Sequence, residues 1–467
     1  MAFTDRLHNR GSISTGYDID NSIKTQANSG NEWFYRNNPT AGNRRTFTFS
    51  FWMKRTQLDG YQADNYLMSQ GSNQRFHFAG HTLRFMFDGG STELESAIKL
   101  RDPAAWYHIV IAVDTTQSTA ANRVKAYVNG ETYAWNNTKY PSQNAQSGWM
   151  NTSDLYFNTR DGDGSYDNSG YWAEVAVIDG TQYAASDFGE FDDDGAWKPK
   201  DFSEDVTFGS QGFYLKFDDA SDLGNDSSGN NNDATLNNIT SVDQASDTPT
   251  NNFATINPLF KYPSSQVIQE GATQVTRSSG SGLNKTFLST IGVSSGKWYA
   301  EFKPVASSNY VVGIVPISTA GSVAFDGNYI GNSAFASSIS YYSDTGQKIL
   351  AGSGGSSYGD SWTTNDIIGI ALDMDNSKVY FSKNGTYQNS GVPTSGSTGT
   401  GAIDLTLDET TFIGFTYDSG GDMQVNFGGY HVNTLSSAQN DGQYGDFEYA
   451  PPSGYYALCT KNLGVYG

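Results

Sequence analysis

Thr46-Phe-Thr-Phe-Ser-Phe-Trp-Met53 alternates without interruption. Successive side chains of an extended chain point to opposite sides, so Phe47, Phe49, Phe51 and Met53 share one face and Thr46, Thr48, Ser50 and Trp52 the other. The pattern predicts a strand with one face in a core and the other mostly wet, the form taken in antiparallel sheets. Working outward, Trp106-Tyr-His-Ile-Val-Ile-Ala-Val113 is a second strong strand. Arg75–Phe78 and Leu83–Phe87 read as a hairpin, and Arg123–Val128 is closed by the turn signal Asn129-Gly130. Leu155–Asn158, Tyr171–Ile178 and Gly212–Phe217 complete the set; a short turn near Ala184–Phe188 is the best helical candidate. Strands at this spacing predict a β-sandwich or jelly roll.

The same texture returns downstream. Gly296–Lys303 alternates Trp298, Ala300 and Phe302 against Lys297, Tyr299, Glu301 and Lys303, which predicts another half-buried strand. Tyr310–Val315, Ile367–Asp373, Lys378–Lys383, Thr411–Thr416 and Met423–Phe427 read as further strands. Between the halves, Asp222–Asp233 and Asp247–Asn252 are polar and rich in turn residues. The expected organisation is an amino-terminal arm at 1–15, a sandwich at 16–220, a polar linker or ordered crossing loop at 221–261, and a second sandwich at 262–467. The fold class is all-β, two sandwich domains in tandem.

Composition agrees and excludes other classes. Aromatics make up 14% of 467 residues and charged residues only 16%, the reverse of a disordered chain. The net charge of −21 argues against nucleic acid, which needs a basic stripe. Apolar runs such as Ile367–Leu372 fall far short of the roughly 20 residues that cross a bilayer, so no membrane insertion is expected. One cysteine, Cys459, allows neither an internal disulfide nor a cysteine-based zinc site. Met1-Ala-Phe-Thr-Asp-Arg6 shows no apolar export segment, so assembly in a cytoplasm is the expectation.

Three groups of residues are candidates for chemistry. Asp161-Gly-Asp-Gly-Ser-Tyr-Asp167 puts Asp161, Asp163 and Asp167 on a glycine-flexed loop, either a Ca²⁺ site built from hard oxygen ligands or a solvated turn. Tyr329, Tyr341, Tyr342, Tyr358 and Trp362 lie in or near loops of the second half. They read either as a recognition surface, since sugar rings stack on aromatic faces and Tyr-rich surfaces also bind proteins, or as caps of the sandwich core. A glycoside hydrolase needs two carboxyl groups across a cleft; Glu190-Phe-Asp192 comes nearest and lacks a third acid, so no catalytic residue is expected. His108 reads as a packed or hydrogen-bonded strand histidine.

Several of these segments carry a resemblance. Trp298-Tyr-Ala-Glu301, Val312-Gly-Ile314, Asp366-Ile-Ile-Gly-Ile-Ala-Leu-Asp-Met-Asp375 and Val379-Tyr-Phe-Ser-Lys-Asn-Gly385 resemble a SPRY domain, over about residues 262–467. Thr46–Lys54, Trp106–Val110 and Val124-Lys-Ala-Tyr-Val-Asn-Gly130 resemble the laminin-G-like, concanavalin-like group, over about residues 16–219. The junction Asp226–Asp233 with Asp247–Pro258, and the carboxy-terminal Gly454–Leu463, resemble marine bacteriophage structural proteins in which a laminin-G-like domain precedes a SPRY-like one. The resemblance implies a virion protein, whether tail fibre, head fibre or capsid decoration. Its implied partners are other virion proteins, a host cell-surface glycan or protein, and further copies of itself. A soluble lectin or glycan-degrading enzyme and a ligand-free scaffold are the alternatives.

Overall fold

The computed structural model describes residues 16–27, 31–58, 64–71, 73–89, 93–259, 266–277, 285–320, 327–406, 408–418, 420–432 and 435–467. The arm expected at 1–15 lies outside them. The described chain divides into two compact units, residues 16–251 and 252–467. Among the described residues no helix is long and apolar enough to cross a membrane.

In the first unit, Thr46–Arg55 is a central strand, paired antiparallel with Trp106–Asp114 on one side and Gly170–Asp179 on the other. Phe47 stands opposite Val113, Phe49 opposite Ile111 and Phe51 opposite Ile109, so the inward residues form continuous rows. Val124–Val128 and Glu131–Thr132 extend this sheet one way, Ser22–Thr25 and Gln244–Ala245 the other, and Phe213–Leu215 joins Gly170–Asp179 beyond a bulge. The facing sheet runs Trp135–Thr138, Glu93–Ser96, Thr82–Met86, Gln74–Ala79, Asp64–Gln70, Leu155–Phe157, Trp33–Arg36, Thr235–Asn237. Phe34, Phe76, Phe78, Phe85 and Phe157 from this sheet meet Phe47, Phe49, Phe51 and Trp172 from the first in one core. The turn at Ala185–Asp187 is a single 3₁₀ turn.

The predicted wet face of Thr46–Arg55 is corrected by the structure. Thr48, Ser50 and Trp52 are buried. The chain between Ile178 and Phe213 folds back over that face. Phe188, Phe202 and Phe208 pack there on Val110, Ala112, Ala176 and Tyr214, forming a second apolar layer outside the sheet. Ser50 Oγ and Trp197 Nε1 meet the two ring nitrogens of His108, at 2.9 and 3.1 Å. Indole nitrogen only donates, so Nδ1 accepts and Nε2–H donates to Ser50. Burial pulls the His108 pKa down to about 3, so the ring stays neutral and structural.

The polar segment expected as a linker or crossing loop contributes strands Thr235–Asn237 and Gln244–Ala245 to the two sheets of the first unit. Two buried ionic clusters hold it. Lys54 Nζ lies 2.7 Å from Asp247, and Lys24 Nζ lies 2.8 Å from both Glu32 and Asp243.

In the second unit, Lys297–Pro304 lies between Met423–Asn426 and Ile368–Asp373 in a large sheet that also takes in Gln266–Gln269, Gln274–Arg277, Lys378–Lys383, Thr386–Tyr387, Ile403–Asp404 and Tyr456–Ala457. The facing sheet runs Lys285–Val293, Thr411–Tyr417, Tyr310–Pro316, Ile339–Tyr342, Gln347–Leu350, Ser356–Ser357. Trp298, Ala300 and Phe302 enter the core between them, as predicted. The opposite face again departs from the prediction, because Tyr299 and Glu301 are buried. Phe253, Phe447, Tyr455 and Ala457 cover Tyr299 from outside the sheet. The architecture is thus two tandem all-β sandwiches, each with a sheet face that local periodicity predicts to be wet and long-range chain covers.

Candidate functional site: an aromatic-rimmed pocket

Tyr310–Pro316 alternates strictly. Tyr310, Val312 and Ile314 enter the core between the sheets, and Val311 and Val315 face outward. Across three strands Tyr342, Val311 and Thr416 stand in one row on that outer face. The chain after Pro316 covers part of the face, with Ala320, Ile330 and Phe335 packed on Val311, Val315 and Ile349. Where the cover ends a cavity of about 210 Å³ remains, lined by Asn309, Val311, Tyr329, Tyr342, Thr416 and Asp418 among others. That is below the usual volume of a drug-like site.

The walls combine two half-buried phenols with a carboxylate and an amide. Burial raises the Tyr342 phenol above its ordinary pKa, and the carboxylates of Asp344 and Asp418 and the neighbouring Tyr329 raise it further. The Asp418 amide donates to the Asn309 carbonyl at 3.0 Å, which fixes the two polar walls together. Thr416 Oγ1 meets Thr286 Oγ1 at 2.7 Å, so the floor is already satisfied internally.

The five aromatics singled out from sequence divide. Tyr329 and Tyr342 rim the pocket. Tyr341, Tyr358 and Trp362 belong to the core. The Tyr341 ring lies 5.6 Å from Tyr358 and 5.9 Å from Trp362, and Trp362 lies 6.1 Å from Tyr310. The cause is the period of two: Tyr341 and Tyr342 are neighbours in one strand and face opposite ways. A surface role therefore narrows to Tyr329 and Tyr342. Asn309 and Asp418 were not foreseen; they sit at strand ends whose proximity comes only from sheet pairing.

The three aspartates sit in different surroundings. Asp163 is exposed and accepts from the Ser165 hydroxyl and amide, while the Asp161 amide donates to Ser69 Oγ at 2.8 Å. Asp167 is buried, and neither carboxyl oxygen meets a donor in good geometry, although Thr159 lies beside it. Among the described residues no three carboxylate, imidazole or thiol groups gather to hold a metal ion. The donor set therefore does not fit the Ca²⁺ site expected from Asp161, Asp163 and Asp167.

Asp167 instead gives a pH prediction. Burial pushes its carboxyl up to about 7, and Asp163 adds to the rise. The unfolded chain loses this proton near pH 4 and the folded chain near 7, so stability present at pH 4 declines as pH rises through that window. The loss is at most about 4 kcal/mol. Asp167→Asn is expected to flatten the decline in melting temperature between pH 4.5 and 7.5; parallel curves for the two proteins would contradict it.

Glu190 and Asp192 offer no hydrolytic pair. Glu190 is exposed on the hairpin Gly189–Phe191/Trp197–Pro199, and Asp192 is engaged by Lys198 at 3.0 Å and by the turn amides of Asp194 and Ala196.

Comparison with known families agrees with this geometry. Residues 11–186 match the Laminin_G_3 model, described as the concanavalin A-like lectin/glucanases superfamily, and residues 297–429 match the SPRY domain model. One segment of the chain is thus similar to concanavalin-like domains and another to SPRY domains. A solved human SPRY domain is similar to 37% of this chain and 97% of its own length, with 17% identity and a TM-score of 0.26. The SPRY domain of human HERC1 covers 38% of this chain and 99% of its own, with 18% identity and a TM-score of 0.28. No curated protein sequence matches the chain.

Proposed function

We propose that this chain is a bacteriophage structural virion protein, as a tail fibre, head fibre or capsid decoration, whose SPRY domain recognises a host-surface glycan or protein. The observation that carries the recognition is the pocket with half-exposed Tyr329 and Tyr342 set beside Asn309 and Asp418. Aromatic faces take the apolar side of a sugar ring or a side chain, and the carboxylate and amide orient its polar edge. The particle role rests on the resemblance of the junction segments Asp226–Asp233 and Asp247–Pro258 to virion proteins. Such a pocket binds weakly alone. Many copies on one particle, assembled as oligomers with other virion proteins, convert weak contacts into firm attachment.

Two measurements test this. Antibody labelling of purified particles should place the chain on their surface; particles free of it would refute the virion role. Tyr342→Ala should lower binding of the purified protein to host cells about tenfold or more, the loss typical of an anchoring aromatic, with an unchanged melting temperature. Undiminished binding would remove the pocket from recognition.

A further inference from the structure

Three ionisable side chains of the first unit meet out of reach of solvent. Ser22–Thr25 pairs antiparallel with Gln244–Ala245, Ser22 opposite Ala245 and Ile23 opposite Gln244. One further step of that register brings Lys24 to Asp243. Lys24 Nζ lies 2.8 Å from Asp243 Oδ1 and donates to both Glu32 carboxylate oxygens, at 2.8 and 3.0 Å. Lys24 is 1% exposed, Asp243 4% and Glu32 6%.

The far oxygen of Asp243 is held separately. Oδ2 accepts from the Thr240 amide at 2.8 Å and from the Thr240 hydroxyl at 3.3 Å, at the start of the turn Ser241–Asp243. The Asp243 carboxyl carbon therefore has an amine on one side and two hydrogen-bond donors on the other. A second carboxylate, Glu32, touches the same amine. The four parts of an amide-forming site are together: a nucleophile, a carbonyl carbon, a proton carrier and donors for the oxygen that gains charge.

We propose that Lys24 and Asp243 condense into an amide, a covalent tie between their two strands. Glu32 takes a proton from the Lys24 ammonium, and the freed Nζ attacks Asp243 Cγ. The Thr240 amide and hydroxyl hold the charge that develops on Oδ2. Glu32 delivers its proton, and then a second from the same nitrogen, to Oδ1. The Cγ–Oδ1 bond breaks and one water leaves. Glu32 ends as it began and accepts from the new amide N–H. Nothing is oxidised or reduced, and no co-reactant is needed. The fold favours the product because it holds the reacting groups in contact and exchanges a buried ammonium and carboxylate for a neutral amide. The bond closes residues 24–243 into one covalent ring, so a pull on the chain ends cannot strip Ser22–Thr25 from Gln244–Ala245. It is independent of recognition by the Tyr342 pocket.

The test is mass spectrometry of tryptic peptides from the full chain, purified folded and then denatured for digestion. Trypsin should fail to cut after Lys24. Residues 11–36 should appear joined to residues 217–261 in one branched peptide, one water lighter than the two parts together. Lys24→Arg and Glu32→Gln should each release the two parts unlinked at full mass. Asp243→Asn should form the same branched peptide by losing ammonia in place of water, a positive signal that a misfolded variant does not produce. A wild-type chain cut normally after Lys24, with both parts at full mass, would overturn the proposal. So would a water loss confined to residues 217–261 with the Lys24 peptide free, since the dehydration would then lie within that segment alone.

Discussion

Asp247→Ala is expected to cost the first unit about 3–5 kcal/mol, the penalty of leaving a buried charge uncompensated. Asp247 is 1% exposed, and it holds the Lys54 ammonium at 2.7 Å and the Trp106 indole N–H at 3.0 Å. Lys54 projects from the central strand and is fully buried. Burial lowers its pKa, and the Asp247 charge opposes that fall. With alanine at 247, Lys54 loses the carboxylate at 2.7 Å and Trp106 loses the acceptor of its indole N–H. Scanning calorimetry of the full chain should show a transition lowered by roughly 6–20 °C. The paired change Lys54→Met with Asp247→Leu should cost much less, because apolar side chains of similar volume replace buried ion pairs at little cost or with gain. If the double variant were as unstable as Asp247→Ala, the ion pair would be contributing stability of its own rather than satisfying a buried charge.

Glu301→Ala is expected to be of similar size in the second unit, about 3–5 kcal/mol. Glu301 is 3% exposed and accepts from the amides of Glu448 and Tyr449 at 2.9 and 2.8 Å, from the Tyr299 hydroxyl at 3.2 Å and from Asn426 at 3.4 Å. It therefore ties the carboxy-terminal stretch to the sheet. Burial pushes its carboxyl up to about 7 against the pull of these donors. Every partner donates, so an amide is the wrong replacement: Glu301→Gln turns two donors toward donors and should still cost about 1–3 kcal/mol. The check is calorimetry with hydrogen exchange at Glu448 and Tyr449. A Glu301→Gln protein as stable as wild type, with unchanged protection there, would contradict the account.

Much of the fold is legible because alternation is a local property. Phe47, Phe49, Phe51 and Met53, and again Trp298, Ala300 and Phe302, are core residues by spacing alone. The covered outer faces are not legible, because Phe202 and Phe208 in one unit and Phe447 and Tyr455 in the other arrive from far along the chain. The site follows the same division. That Tyr341 and Tyr342 face opposite ways follows from the strand, but that Tyr342 meets Thr416 across Val311 depends on pairing among three strands. At Asp161–Asp167 composition alone does not show how each carboxylate is engaged: Asp163 accepts from Ser165 within the turn, whereas Asp167 is buried.

The central claim is recognition by the SPRY domain through the Tyr329–Tyr342 pocket. Its most direct test is a glycan array and host-cell binding assay run side by side on wild type and the Tyr329→Ala, Tyr342→Ala double variant. The account predicts a ligand signal in at least one assay for wild type, reduced at least tenfold in the double variant with the fold intact. Silence in both assays for wild type, or equal signal from the double variant, would contradict it.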